Sequence, residues 1–348
     1  MTNASIDMFT ASSIMVLVLL ASFYGVSEVA QIYLGRNPET ALETSREVAR
    51  YLLLNPGEPG DWGVESSSTP TRFGLAKEGS EKPYSLDIDK VSRLYPESIY
   101  VLNYADLWEA LGVNDLSFRI ELECLFNVSL SLVSTVDLGD STRYTFSIDT
   151  SNGGLPLSAD VKCYVVVRNF VTSNVTSTNG NGEGEVSFTL SNSLSGGALL
   201  IALARTEMPL LSFGVLQFGH KSSVHQNGYF VTLSPLNHTL YVNTTYTGET
   251  IIGASVFTYH YYFSLTETVE NTYSIPRLLD PSPMVLAVTG LNGTEYFAEW
   301  ITYPPIPLEV GTDTALEYTI SGFSSQTYIV EISGVQYKFR IILRRPGV

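Results

Sequence analysis

Residues 8–26, MFTASSIMVLVLLASFYGV, contain no charged side chain and are bracketed by Asp7 and Glu28. As a helix this run spans about 28 Å, close to the roughly 30 Å hydrocarbon core of a bilayer. A chain that carries such a segment must keep it from water. A cleaved signal peptide would have a basic leader and an apolar core of about 7–15 residues. Here the run is longer, and the first basic residue is Arg36. A core helix of a soluble fold is unusual at this length without a charge. A retained helix in a membrane or a filament core fits best, because the apolar side chains go all round rather than forming one stripe. On that reading Asp7, Met8, Ile14, Leu17, Leu20, Phe23 and Val26 are the helix-core and assembly residues. The chain is then expected at the cell surface, membrane-inserted through this helix. The nearest basic residues, Arg36, Arg46 and Arg50, follow the run and would place the next segment inside. The acidic body argues for a head outside, and that orientation is preferred.

Gly35-Arg36-Asn37-Pro38 interrupts the helix, with Asn37 as N-cap and Pro38 as first residue of a second helix over 38–54. Ala41, Leu42, Ser45, Val48, Ala49, Leu52 and Leu53 recur at helical spacing as one buried stripe. Residues 55–95 are dense in Pro, Gly and Ser but hold Trp62, Phe73 and Leu75, which predicts an irregular connector packed over the base of the second helix. Short helices are predicted over 87–95 and 104–111, the latter ended by Gly112.

From Phe118 the period becomes two. Phe118, Ile120, Leu122, Cys124, Phe126, Val128, Leu130 and Leu132 share one phase, predicting one long strand or two joined by a bend. Glu121 and Glu123 fall on the wet phase, as do Glu183 and Glu185 later in the chain. Strands are predicted at 143–149, 161–169, 184–190 and 198–204, separated by Asn-Gly turns. Further strands are predicted at 229–233, 239–245, 251–265, 284–289, 294–301, 315–320 and 328–343, with a hairpin turn at Ser333-Gly334. The fold class is therefore mainly β with a long N-terminal α-helix: one or two β-sandwich domains on a helical stalk. The organisation reads as 1–54 helix, 55–117 connector, 118–208 first β domain and 209–348 second β-rich domain.

Acidic residues outnumber basic ones 35 to 19, for a net charge of −16. Between Arg205 and Lys338 only Lys221 and Arg277 are basic, so a nucleic-acid partner is excluded. Cys124 and Cys163 both point to apolar strand faces. They are two buried free thiols, or a disulfide between neighbouring strands suited to an oxidising exterior. Sequons at Asn127, Asn174, Asn237, Asn243 and Asn292, with Asn3 near the start, are possible N-glycosylation sites. The histidines His220, His225, His238 and His260 have no metal-ligand spacing, and no Gly-rich phosphate loop, nucleophile elbow or H-E-x-x-H occurs. The expectation is a protein with no cofactor, no metal and no enzymatic activity.

Pro56-Gly57-Glu58-Pro59-Gly60-Asp61-Trp62, Phe73-Gly74-Leu75-Ala76 and Leu86-Asp87-Ile88-Asp89-Lys90-Val91, after an apolar run and an amphipathic helix, resemble archaeal type IV pilin-like proteins. Leu111-Gly112 and Phe118-Arg119-Ile120 also fit, so the resemblance covers roughly residues 8–125. Pilin leaders place a basic residue and Gly before the apolar run. Here the sequence starts Met1-Thr2-Asn3-Ala4-Ser5-Ile6-Asp7, which implies a helix that is not cleaved or a chain without its leader. Asp7 stands where the resemblance places a carboxylate that pairs with a neighbouring subunit's N-terminus. Residues 150–205 resemble Ig-like domains of surface proteins. The resemblance implies a structural subunit or accessory of an extracellular filament, a homo-polymer whose helices pack in the core, with the membrane as partner before assembly and glycans as further partners. The alternative is a membrane-anchored monomeric surface protein for binding or adhesion.

Overall fold

A computed structural model describes residues 38–113, 116–279, 281–312 and 323–344, together with Met15. Residues 8–26 apart from Met15, with Asp7 and Asn3, lie outside the described residues, as does the strand predicted at 315–320. Two compact units are distinguished, residues 1–48 and 49–348.

The α-helices described are α1 (Pro38–Leu54), α2 (Ile88–Ser92) and α3 (Tyr104–Leu111). The expected long N-terminal helix is therefore corrected. The described helices are short, the longest being the 17-residue α1, and antiparallel sheets dominate. Pro38 suits the first position of α1, because it lacks an N–H that a helix's first turn leaves unpaired in any case. Membrane insertion is corrected with it. Among the described residues no helix is long and apolar enough to cross a membrane, and α1 carries Glu43, Arg46, Glu47 and Arg50 along its length. In α1, Ser45, Ala49, Leu52 and Leu53 are buried, as the stripe predicts. Asp87 caps α2 through Asp89 N–H and Lys90 N–H, and Asn103 caps α3 through Ala105 N–H. Gly112 closes α3 at φ +70°, the left-handed conformation that favours glycine.

Among the described residues twenty strands follow. β1 (Ser117–Cys124) and β2 (Asn127–Asp137) are the two halves of the long alternating stretch, and they part company at the bend. β1 joins β18 (Leu308–Gly311), β19 (Phe323–Ile332) and β20 (Val335–Arg344) in the order β18-β1-β20-β19. β2 joins β3 (Ser141–Asn152), which also pairs β4 (Leu155–Pro156) and β7 (Glu183–Ser191). A second sheet, β6-β5-β8-β9, is built from β5 (Asp160–Val167), β6 (Phe170–Ser177), β8 (Gly196–Arg205) and β9 (Leu211–His220). Phe146, Ile148, Val161, Cys163, Leu200 and Phe218 fill the space between these two sheets, a β-sandwich.

The second sandwich repeats the plan. One sheet is β10 (Val231–Leu236), β11 (Thr239–Thr244), β15 (Thr272–Ser274) and β14 (Thr266–Val269). The other is β13 (Tyr262–Ser264), β12 (Thr250–Phe257), β16 (Met284–Asn292) and β17 (Glu295–Tyr303). Phe230, Leu240, Val256, Leu286, Val288 and Phe297 lie between them.

The sandwiches then stack back to back. Tyr164, Val166, Leu199, Ile201 and Leu203 on the outer face of β5 and β8 pack on Phe257, Val285, Ala287 and Ala298. Strands buried on both faces need apolar residues at successive positions. DVKCYVVV, GGALLIALAR and MVLAVTGLN have them, whereas β7, wet on one side, alternates. Gly196 permits the contact: at φ +152° it lies where an added Cβ would come within 2.7 Å of the Tyr296 side chain.

The connector is ordered by two buried cations. Lys90 Nζ donates to the carbonyls of Pro56 (2.7 Å) and Ala76 (2.8 Å). Arg93 donates to the carbonyls of Trp62, Glu65, Ser66 and Tyr100. Both approach the Trp62 ring, at 5.9 and 5.7 Å from its centroid. Trp62 Nε1 donates to Gly74 O at 3.0 Å and Pro56 O at 3.2 Å. Phe73 packs between Trp62 and Phe118 of β1. Irregular backbone leaves carbonyls without ladder partners, and long cationic side chains supply the donors.

Candidate functional site: an exposed aromatic hairpin

Residues 259–263 read Tyr-His-Tyr-Tyr-Phe and form the tip and return strand of the β12–β13 hairpin. A strand turns alternate side chains to opposite faces, so five successive rings cannot all be buried. Thr258 sets the turn: its N–H and its Oγ1 each donate to Tyr261 O at 2.9 Å. Its carbonyl accepts from the Tyr164 hydroxyl at 3.1 Å, which ties the hairpin to β5. Below, Phe257 is fully buried and stacks on Tyr262 at 5.7 Å. Above, Tyr261, Tyr262 and Phe263 are 45%, 43% and 42% exposed. Tyr261 and Phe263 are 5.7 Å apart between centroids, and His260 bridges Tyr259 and Tyr261.

Cations flank the rings. The Arg205 guanidinium sits 4.6 Å from the Tyr259 centroid, and Lys162 Nζ lies 5.5 Å from that of Tyr164. Arg205 is opposite Asp160 in the β5–β8 ladder, so its charge is partly answered. Burial pushes the Tyr259 hydroxyl above its ordinary pKa, so the ring stays neutral at physiological pH. Rigid rings beside an arginine are the side chains that protein interfaces concentrate at their centres. The residues were not legible as a site from strand patterning, because aromatics are also ordinary strand formers. The signal was the unbroken run of rings.

The sequence-flagged residues are dispersed. Cys124 lies on β1 and Cys163 in the middle of the first sandwich, both as free thiols. Burial pushes them up to about 11 and about 12. Asn127, Asn174, Asn237 and Asn243 are exposed and Asn292 is half-buried. Asn174 Nδ2 and Thr176 Oγ1 of one sequon donate to the carbonyls of Ser187 and Glu185 on β7. Glu121, expected on a wet face, is buried against Arg119 (2.9 Å) and Arg340 (2.8 Å). Arg119 of the same strand and Arg340 of the neighbouring β20 flank it there.

The histidines are also separated. His220 is buried, with Nε2 against Ser191 O (2.8 Å) and Nδ1 against the Tyr144 hydroxyl (2.9 Å). A carbonyl only accepts, so Nε2 carries the proton and Nδ1 accepts from Tyr144. His225 Nε2 and Ser223 Oγ both meet Glu295 Oε1 at 2.6 Å. These are the residue types of a nucleophile triad without its geometry, which uses opposite ring nitrogens for base and carboxylate. Among the described residues no three His, Cys, Asp or Glu are placed to hold a metal ion.

Two buried carboxylates hold backbone instead. Glu299 of β17 accepts from the N–H groups of Gly228, Phe230 and Val231. Asp89 of α2 accepts from Asn237 N–H (2.7 Å) and the Tyr303 hydroxyl (2.6 Å). Burial raises the pKa of both, and their hydrogen bonds oppose that rise.

Fold and surface together define a β-sandwich protein that stacks two sandwiches and displays an aromatic hairpin. No family model matches the chain, and no curated protein matches it. Among solved structures it is similar to a marsupial T cell receptor chain, at 12% identity over 51% of this chain and 95% of that one. The TM-score is 0.18, at which the likeness carries no argument.

Proposed function

We propose that this chain is a structural, non-enzymatic protein: a subunit or accessory of a pilus-like filament, whose copies meet through residues 8–26 and whose β-sandwiches are displayed for contact. The observation that carries this reading is the build of the connector. The two segments behind the pilin-like resemblance, Pro56 to Trp62 and Phe73 to Ala76, are held together around the buried Trp62, by Trp62 Nε1 to Gly74 O and by Lys90 Nζ to Pro56 O and Ala76 O. They are spaced in sequence as parts of one device, and their spacing has a physical use. Electron microscopy of filaments sheared from the source cells, with mass spectrometry of the purified material, tests the reading. The chain is expected among the filament proteins, and its consistent absence overturns the proposal.

A second reading is a monomeric binding or adhesion module. The exposure of Tyr261, Tyr262 and Phe263 favours it. A monomeric full-length chain that never co-sediments with filaments supports this reading over the first.

A further inference from the structure

A sheet edge is a row of unpaired N–H and C=O groups, and folded proteins blunt such edges with charge, proline, side-chain caps or short length. Most edges here are blunted in these ways. Asn174 and Thr176 cap the β7 edge. Gln217 donates to Ala298 O of β17, and the Asn227 amide both donates to Trp300 O and accepts from Trp300 N–H at 2.9 Å. Residues 84–86 pair with Glu331 at the end of β19. β10 contains Pro235, and β13, β14 and β18 are three or four residues long.

The outer half of β2 differs. Its first residues lie against β9, where Ser212 Oγ donates to Phe126 O and Gly214 approaches Val128. From Ser131 to Asp137 every residue is exposed, and β3 is its strand partner among the described residues. Leu132, Val133, Val136 and the following Leu138 are 44%, 56%, 49% and 49% exposed. Residues 127–136 contain no charged side chain and no proline. Asp137, at the end, is answered by Lys221 at 2.7 Å. The one irregularity is a bulge between Leu132 and Ser134.

We propose that the outer half of β2 pairs edge to edge and antiparallel with the same strand of a second copy of this chain. Charge selects the occupant. A chain of net charge −16 repels its own copies over most of its surface. From Ser131 to Val136 this strip carries no charge and exposes Leu132, Val133 and Val136, so two copies can approach it without opposing like charges. Antiparallel pairing about a two-fold axis also sets each copy's Leu and Val against those of the other, the cross-strand pairs that stabilise a sheet. The pairing goes beyond the filament reading and does not need it, because a head-to-head dimer forms or fails whether or not the chain occurs in filaments.

Single cysteines in the full-length chain test this: Ser131→Cys, Ser134→Cys, Thr135→Cys and Val136→Cys, with Ser187→Cys on the capped β7 as control. In a two-fold antiparallel seam only the position at the axis meets itself at disulfide distance. After mild oxidation one of the four is expected to give about tenfold more dimer than the control, the ratio a few weak cross-strand pairs produce. Cys163, buried in the sandwich core, and Cys124, half-buried with its thiol pushed up to about 11, stay out. Adding Leu132→Lys and Leu138→Lys, both at exposed positions, is expected to abolish the maximum while circular dichroism stays unchanged. Equal cross-linking at all four positions, no excess over the control, or a maximum that survives the lysines overturns the proposal.

Discussion

Tyr303 donates its hydroxyl to the Asp89 carboxylate at 2.6 Å, joining residues 214 positions apart. The bond ties α2 of the connector to β17 of the second sandwich. Asn237 N–H, in the tight β10–β11 turn, gives Asp89 a second donor. Both residues are buried, so the joint is a polar contact inside the fold.

A pH dependence follows from that joint. Burial raises the Asp89 pKa above 3.8, so the folded protein binds this proton more tightly than the unfolded chain. The contribution to stability is therefore fully present below pH 3.8 and is lost as pH rises through the raised value. Asp89→Asn retains an acceptor for Tyr303 and Asn237 but cannot ionise. Urea melts of wild type and variant between pH 4 and 7 should show the wild type losing stability relative to the variant as pH rises. Parallel curves would refute the assignment.

Lys90 supplies the donors for two buried carbonyls. Lys90→Met keeps the apolar stem, leaves Ala76 O unpaired and leaves Pro56 O with the Trp62 Nε1 donor alone, which is expected to cost about 1–3 kcal/mol. Removing a buried charge is often harmless when its partner goes too, but here both carbonyls remain. Denaturant unfolding measures the loss.

The two thiols should be inert in the folded state. With pKa values pushed up to about 11 and about 12, Cys124 and Cys163 carry almost no thiolate at pH 8. A thiol reagent at that pH is expected to label neither in native protein and both after unfolding. Rapid native labelling of Cys163 would place it outside the sandwich core.

Neighbouring rings should divide sharply. Tyr261→Ser with Phe263→Ser removes exposed rings and is expected to change stability by about 0.5 kcal/mol or less at each position. Phe257→Ala, directly below, is expected to cost about 3–5 kcal/mol, because it empties part of the contact between the two sandwiches. The same urea melts check both. A large loss from the outer pair would mean that the hairpin holds the fold rather than serving contact.

Several elements were legible from local pattern. The stripe of α1, the Gly112 stop of α3 and the Ser333-Gly334 turn all come from spacing and turn chemistry. So do most strands of both sandwiches. β4, β6, β9, β14, β15 and β18 were missed, the last three in stretches whose proline and acidic residues read as loops. β9 reads LSFGVLQFGH, with two glycines and mixed phase, because one of its faces meets the first sandwich core while the other lies near β17. The long strand predicted at 251–265 is instead β12 and β13, separated by the Thr258 turn, since strand formers fill both arms and no Gly or Pro marks the corner.

The sequence by itself determined where most strands of the two sandwiches lie and which of them carry apolar residues at successive positions. These are local properties, written in the alternation of side chains along a few residues. Only the tertiary structure decided that β1 pairs with β20 rather than staying with β2, that Lys90 and Arg93 are buried, and that the rings at 261–263 remain outside. Strand partners and burial depend on contacts between residues one or two hundred positions apart. No period along the chain encodes those contacts.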